Sequence, residues 1–72
     1  MSTIDLTTIN CPWTIIKTKQ EMDKLVAGDN LLIIVKDQSF IIDCKVYVNQ
    51  TGNKLIANWE SKEHIYCLLE KS

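Results

Sequence analysis

PWTIIKTKQEMDKLVAGDNLLIIV, residues 12–35, contains the change of pattern that decides the fold. In its first half, apolar residues recur at helical spacing: Ile15, Ile16, Met22, Leu25 and Val26. Gly28 is typical of a helix exit, and Pro12 suits a first helical turn. Residues 31–35 then form a continuous apolar run of strand length. The stretch therefore predicts a helix that stops at Gly28, followed by a strand central in a sheet.

The segments on either side supply further strands. Residues 3–6 read as a short strand and residues 7–10 as a polar loop. Residues 54–60 and 63–70 alternate apolar and polar side chains around a turn. The alternation predicts these residues on one face of each strand: Ile4 and Leu6, then Leu55, Ala57 and Trp59, then Ile65, Cys67 and Leu69.

Residues 40–48 fit either a strand or a helix. Alternation favours a strand, through Ile42, Cys44, Val46 and Val48. Helical spacing also places Phe40, Cys44 and Tyr47 on one face, with Ser39 at the N-cap position and Gly52 at the exit. The residues alone leave both structures open. Two helices packed on one face of a mixed four-stranded sheet would be the economical architecture.

Composition narrows the class of protein. The 72 residues, 46% hydrophobic and 24% charged, are typical of one small globular domain, 1–72. The chain has no arginine and a net charge of −1, which disfavours direct nucleic-acid binding. Lys17, Lys19 and Lys24 could form a weak basic patch, but a solvated, salt-paired face is the simpler interpretation. No secretory leader or membrane-spanning run is evident, so we expect a cytoplasmic protein with no membrane contact.

Cys11-Pro12 is the dipeptide with the most distinctive chemistry. A helix N-terminus offers partial positive charge and unpaired N–H groups, which stabilise a thiolate or a terminal persulfide sulfur. Cysteine is not a favoured N-cap, so a reactive Cys11 is one interpretation. The other is a small apolar residue tucked under a helix start. Trp13, beside it in the first turn, is a candidate partner contact or lid.

The remaining reactive side chains have simpler interpretations. Cys44 and Cys67 fall on apolar faces and are predicted in the core. Three cysteines without metal-ligand spacing predict no disulfide framework, no metal and no cofactor. His64, the only histidine, is predicted at the surface of the last strand. The other aromatic residues are predicted in the core or at its edge: Phe40, Tyr47 and Trp59.

From residue 4 to residue 71 the chain resembles the TusA/SirA family of sulfur carriers. The pattern consists of Ile4-Asp5, Ile9, Cys11-Pro12, a helix, Gly28, Asp37 and Thr51-Gly52. The resemblance implies an α+β two-layer sandwich of order βαβαββ, and so favours a helix over residues 39–50. It also implies that Cys11 takes up sulfur as a persulfide. Pro12 and the helix start would support that sulfur, and Trp13 would flank it on the side that faces a partner. A cysteine desulfurase or rhodanese-like protein would donate the sulfur, and an acceptor protein would receive it, in tRNA thiolation or another sulfur-trafficking pathway. A carrier of this kind is expected to be a monomer.

The match to the family motif is partial. The family signature is Cys-Pro-x-Pro with an acidic residue between the prolines, whereas residues 11–14 read Cys-Pro-Trp-Thr. Thr7 and Thr8 stand where a basic residue and a glycine are usual, and Asn10 also departs from the family. These departures leave a second hypothesis, a regulatory or protein-binding domain that kept the fold without the chemistry.

Overall fold

The computed structural model describes residues 2–10 and 13–72, which form four strands and two helices. Met1, Cys11 and Pro12 lie outside the described residues. The prediction that Cys11 and Pro12 stand at a helix start therefore concerns residues that the structure does not describe. In chain order the elements are β1 (Ser2–Asp5), α1 (Trp13–Asp23), β2 (Asn30–Val35), α2 (Ser39–Thr51), β3 (Lys54–Ser61) and β4 (His64–Glu70).

The strands form one mixed sheet in the order β1-β2-β4-β3. β1 and β2 run parallel, and β4 is antiparallel to both β2 and β3. The parallel pair requires a crossover, which α1 provides. The two helices and this sheet make the predicted two-layer α+β fold, with β2 inside the sheet.

The core lies between the helices and one face of the sheet. Alternate residues of β2 pair with alternate residues of β4, as in Leu31 with Leu69 and Ile33 with Cys67. Cross-strand partners share a face, so these side chains form one buried layer. The helices complete the core with four buried apolar residues: Met22, Phe40, Cys44 and Tyr47. The predicted core positions of Cys44, Cys67, Phe40 and Tyr47 are confirmed.

The first helix is shorter than predicted, and the predicted apolar stripe is buried only in part. Met22 is buried, and Ile15 and Leu25 are partly buried against the core. The helix ends at Asp23, and Val26, placed in the stripe by its spacing, is 68% exposed. The buried face also carries Thr14 and Thr18, which with Met22 are spaced four residues apart. The Thr18 hydroxyl donates a 2.9 Å hydrogen bond to the carbonyl of Thr14, which removes the cost of burying it. The prediction for Val26 was wrong because the helix ends before that residue.

The ambiguous segment is a helix, but Ser39 is not its N-cap. The Ser39 N–H donates to Asp37 Oδ1 at 2.9 Å, so the capping side chain lies two residues earlier. At the other end Gly52 has a left-handed φ of 79°, and its N–H donates to the carbonyl of Val48 at 2.9 Å. The predicted exit at Gly52 is therefore confirmed.

A β-bulge in β3 reverses the predicted orientation of Trp59. The pairing with β4 shifts between Leu55 and Ala57, so the extra residue changes which face the following side chains occupy. Trp59 consequently pairs with Tyr66 on the open face of the sheet, where the rings stack at 5.3 Å. Trp59 is 44% exposed, and the prediction that it lies in the core or at its edge, on the same face as Leu55, was wrong.

Candidate functional site

The loops that follow β1 and β2 meet at one edge of the sheet. The two strands are parallel neighbours, so their carboxyl ends lie side by side, the usual position of sites in parallel sheets. The Leu6 N–H still donates to the Ile34 carbonyl at 2.8 Å, which ties the first loop to the end of β2. This edge is where the chain passes from β1 towards Cys11 and α1.

The loop after β1 is held by Asp5. The N–H and the hydroxyl of Thr7 both donate to Asp5 Oδ1, at 2.9 and 2.7 Å. These two hydrogen bonds lower the pKa of the Asp5 carboxyl, and the charges of His64 and Lys36 add to the effect. Asp5, part of the family pattern, therefore shapes the loop that leads to Cys11.

The start of α1 presents an exposed tryptophan. The Trp13 N–H donates to the Asn10 carbonyl at 2.9 Å, and these two residues flank Cys11-Pro12 in the sequence. The Trp13 side chain is 60% exposed, as predicted, although its role stays a prediction. Thr14, which follows it, is 3% exposed and faces inward. The helix start therefore places a large aromatic side chain in solvent within two residues of Cys11.

A cavity of about 250 Å³ lies at this edge of the sheet. Both loops and the first turn of α1 contribute to its lining: Thr7, Ile9, Asn10, Thr14, Val35, Lys36 and Asp37. Two of these residues, Asn10 and Thr14, stand immediately before and shortly after Cys11-Pro12 in the chain. The cavity thus combines hydroxyl, amide and charged groups with two apolar walls.

Asp37 is charged and fixed within this lining. Hydrogen bonds from the backbone and then the hydroxyl of Ser39 lower the pKa of the Asp37 carboxyl. The neighbouring Lys36 makes no ion pair with any residue that the structure describes. The rim of the cavity therefore has one fixed negative charge beside one positive charge.

The other sulfur and imidazole groups lie elsewhere. Cys44 and Cys67 are fully buried, and their mutual hydrogen bond together with burial raises the pKa of the Cys44 thiol. His64 is half-buried at the start of β4, more covered than the surface position predicted for it. Among the described residues no cluster of side chains is suited to hold a metal ion.

Two lysines in or just after α1 have neighbours. Lys24 Nζ, one residue beyond the helix, lies 3.3 Å from Glu21 Oε1, and Lys19 Nζ lies 6.0 Å from the centre of the Tyr47 ring on α2. The pairing of Lys24 with Glu21 agrees with the salt-paired face favoured from the sequence. Neither α1 nor α2 is long and apolar enough to cross a membrane.

Sequence reasoning missed the roles of Lys36, Thr14 and the Asp37 carboxylate at this edge. Asp37 was noted only as part of the family pattern and Thr14 only as a departure from the family motif, while Lys36 was given no role. A signal for Asp37 was present, because an aspartate two residues before a helix start often caps it. The burial of Thr14 could also have been predicted from spacing, because Thr14 lies four residues before Thr18 and eight residues before Met22.

We expect stability to fall in acid through Asp5 and Asp37. Both carboxyls have a pKa below the unfolded value, so their stabilisation is present above about pH 4 and is lost as pH falls further. Urea unfolding should therefore show a constant midpoint above about pH 5 and a decline below about pH 4. A double variant, Asp5→Asn with Asp37→Asn, should show a smaller decline, whereas Glu63→Gln should follow the unmodified chain. An equal decline in all three proteins would contradict this assignment.

Two comparisons with known proteins agree with the resemblance seen in the sequence. A family model described as Sulfurtransferase TusA matches residues 2–71. A relative from Allochromatium vinosum, named Sulfur carrier protein TusA, is 29% identical over 69 residues, which cover 96% of this chain and 91% of the relative. Because the family match extends over nearly the whole chain, the chain belongs to the Sulfurtransferase TusA family.

Proposed function

We propose that this protein is a sulfur carrier that accepts sulfur as a persulfide on Cys11 and passes it to a partner protein. The observation that supports this most strongly is the family match over residues 2–71, within which Cys11-Pro12 is the part of the active-site motif that remains. In this role the chain acts as a sulfurtransferase without a bound cofactor or metal. It works as a single domain, 1–72.

The start of α1 supports this chemistry. α1 begins at Trp13, so its amino end follows directly after Cys11-Pro12 in the chain. That end has about half a positive charge, and no acidic residue in the first described turn opposes it. Such a field favours a thiolate over a thiol and stabilises the terminal sulfur anion of a persulfide.

Loading with sulfur tests the proposal directly. The protein is incubated with a cysteine desulfurase, cysteine and pyridoxal phosphate, and peptides are then mapped by mass spectrometry. We expect one added sulfur atom on the peptide that contains Cys11 and none on those that contain Cys44 or Cys67. Sulfur on the buried cysteines with Cys11 unmodified would contradict the proposal.

The partners follow from the chemistry of a persulfide. A cysteine desulfurase or a rhodanese-like protein would supply the sulfur, and an acceptor protein would take it towards tRNA thiolation or another sulfur-trafficking pathway. We expect a monomeric, cytoplasmic carrier. Direct RNA binding is disfavoured because the lysines lack the bidentate geometry of arginine, and Lys24 already pairs with Glu21.

A binding module that lost the chemistry is the second candidate. The observation that favours it is the sequence Trp13-Thr14, which replaces the acidic residue and second proline of the family motif, together with the exposure of Trp13. The rate of Cys11 alkylation as a function of pH separates the two. A Cys11 pKa near the free-thiol value of about 8.5 would favour the binding module, and a clearly lower pKa the carrier.

Replacing Trp13 should weaken partner recognition without unfolding the protein. We expect Trp13→Ala to slow sulfur transfer from a donor protein about tenfold at subsaturating concentration, because exposed tryptophans often dominate binding energy. The free energy of unfolding should change by no more than about 0.5 kcal/mol, since the side chain is mostly in solvent. Ile42→Ala, at 67% exposure on α2, is the matched control and should leave the transfer rate unchanged. Equal transfer rates for Trp13→Ala and the unmodified protein would contradict a contact role.

A further inference from the structure

The cavity beside the start of α1 has two opposite charges that do not neutralise each other. Lys36 and Asp37 both line it, yet neither makes an ion pair within 4.0 Å among residues 2–10 and 13–72. Asp37 accepts hydrogen bonds from the N–H and the hydroxyl of Ser39 and keeps its negative charge. The cavity therefore offers a cation and an anion, side by side, to a molecule that has both charges.

The uncharged polar groups of the cavity would also suit a molecule that has both charges. The Thr7 hydroxyl donates its proton to Asp5 Oδ1, so the oxygen of this lining residue is left to accept a hydrogen bond. An ammonium group has three donors and would suit the Asp37 carboxylate and the Thr7 oxygen. A carboxylate would suit the ammonium of Lys36 and the amide of Asn10.

The size of the cavity limits its occupant to a small molecule. A volume of about 250 Å³ is below the range of about 300–1,000 Å³ typical of drug-sized ligands. It equals the liquid volume of about eight water molecules, which is more than one cysteine molecule needs, so the cavity is large enough to hold a small amino acid. The side chains of Ile9 and Val35 provide apolar walls for a methylene group and a sulfur atom.

We propose that this cavity binds a free amino-acid thiol of the cysteine class, which receives sulfur from Cys11. The inference rests on the proposed function, because it names a small-molecule acceptor for the same persulfide. A free amino acid has an ammonium and a carboxylate on one carbon, so one small molecule can contact both charges. Asn10 and Thr14 line the cavity and flank Cys11-Pro12 in the sequence, which relates the bound thiol to the sulfur carrier.

The transfer step balances without an oxidant or a reductant. The thiolate of the bound amino acid attacks the outer sulfur of the Cys11 persulfide and forms a new S–S bond. The bond between that outer sulfur and Cys11 Sγ breaks, and its electron pair leaves with Sγ as a thiolate. The products are an amino-acid persulfide and unmodified Cys11, and the proton first released by the amino-acid thiol goes to solvent.

Binding is tested with a thioether that cannot accept sulfur. Two-dimensional NMR of the amide groups is recorded with S-methyl-L-cysteine at millimolar concentrations. We expect saturable shifts for the residues around the cavity: Thr7, Asn10, Thr14, Lys36 and Asp37. N-acetyl-S-methyl-L-cysteine, which lacks the ammonium, should produce none. Shifts that do not saturate, or equal shifts with both probes, would overturn the assignment whether or not Cys11 accepts sulfur.

Transfer is tested with thiols that lack one charge. Protein loaded on Cys11 is mixed with L-cysteine, cysteamine or 3-mercaptopropionate, and rates are compared per thiolate. We expect L-cysteine to react about fivefold faster than either analogue, the size of effect typical of a charge contact at an exposed site. Lys36→Gln should remove the rate advantage of L-cysteine over cysteamine, which lacks the carboxylate. Asp37→Asn, which keeps a capping side chain, should remove the advantage over 3-mercaptopropionate, which lacks the ammonium. Lys45→Gln, an exposed charge on α2, should change neither ratio.

The results separate this inference from the proposed function. Normal loading of Cys11 with equal rates for the three thiols would overturn the small-molecule acceptor and leave the carrier function standing. Failure of Cys11 to load would overturn both the carrier function and the transfer step, while the NMR experiment would still report whether the cavity binds the amino acid.

Discussion

Phe40→Ala is expected to reduce the free energy of unfolding by about 3–5 kcal/mol, the usual cost of removing a buried phenyl ring. Phe40 is 1% exposed and is the largest of the fully buried side chains described. It lies in the first turn of α2, where its ring fills the space between that helix and the sheet. A domain of this size has a total stability near the lower end of about 5–15 kcal/mol. The variant should therefore be partly unfolded at room temperature, as measured by urea titration of its circular dichroism.

Ile42→Ala provides the matched control because it also distinguishes the two structures that the sequence left open. Residues two apart share one face of a strand but lie on nearly opposite faces of a helix. In α2, Ile42 points to solvent while Phe40 is buried, so Ile42→Ala should cost no more than about 0.5 kcal/mol. Similar losses from both substitutions would contradict the helix and favour the strand.

The parts of the fold that could be predicted are those in which hydrophobic spacing had one solution. The run at residues 31–35 predicted an inner strand, and β2 indeed pairs on both sides. The alternation of Ile65, Cys67 and Leu69 predicted the buried face of β4. In both cases burial by tertiary packing reinforced the local preference, so pattern and structure agree.

Other parts could not be predicted because their causes lie between elements. The bulge in β3 that turns Trp59 to the open face depends on pairing with β4, which spacing within one strand does not reveal. The burial of Thr14 and Thr18 was not predicted, because threonine is mostly an exposed residue type. Their burial is explained by the hydrogen bond from Thr18 to the Thr14 carbonyl, a contact that hydropathy does not record.

The exposure of Trp13 was predictable, but the surroundings of the candidate site were not. Trp13 was expected to be partly exposed because it stands in the first turn of a helix, and the role of Cys11-Pro12 stays a prediction. The cavity arises because the loop after β2 lies next to the loop after β1, and only the parallel pairing of those strands brings Lys36 and Thr7 to one place. Residues so far apart in the chain give no sequence signal of their proximity.

Cys11→Ser is expected to abolish sulfur loading, because a hydroxyl cannot form a persulfide and the other two thiols are out of reach. Cys44 and Cys67 are fully buried in the core, and the pKa of Cys44 is raised by its hydrogen bond with Cys67 and by burial. A buried neutral thiol is a poor nucleophile, since the thiolate is the reactive form. Mass spectrometry after incubation with a cysteine desulfurase should show no added sulfur on the variant, and circular dichroism should show that it remains folded.

Cys44→Ala and Cys67→Ala are the matched controls, because each removes one thiol and leaves Cys11 in place. Each should lose some stability to the small cavity it creates, yet both should load sulfur to the same extent as the unmodified protein while folded. Loading that persists in Cys11→Ser but disappears in Cys44→Ala or Cys67→Ala would move the reactive sulfur to the core and require that core to open during the reaction. Loss in Cys11→Ser alone would identify Cys11 as the sulfur acceptor, even though the family motif around it is only half present.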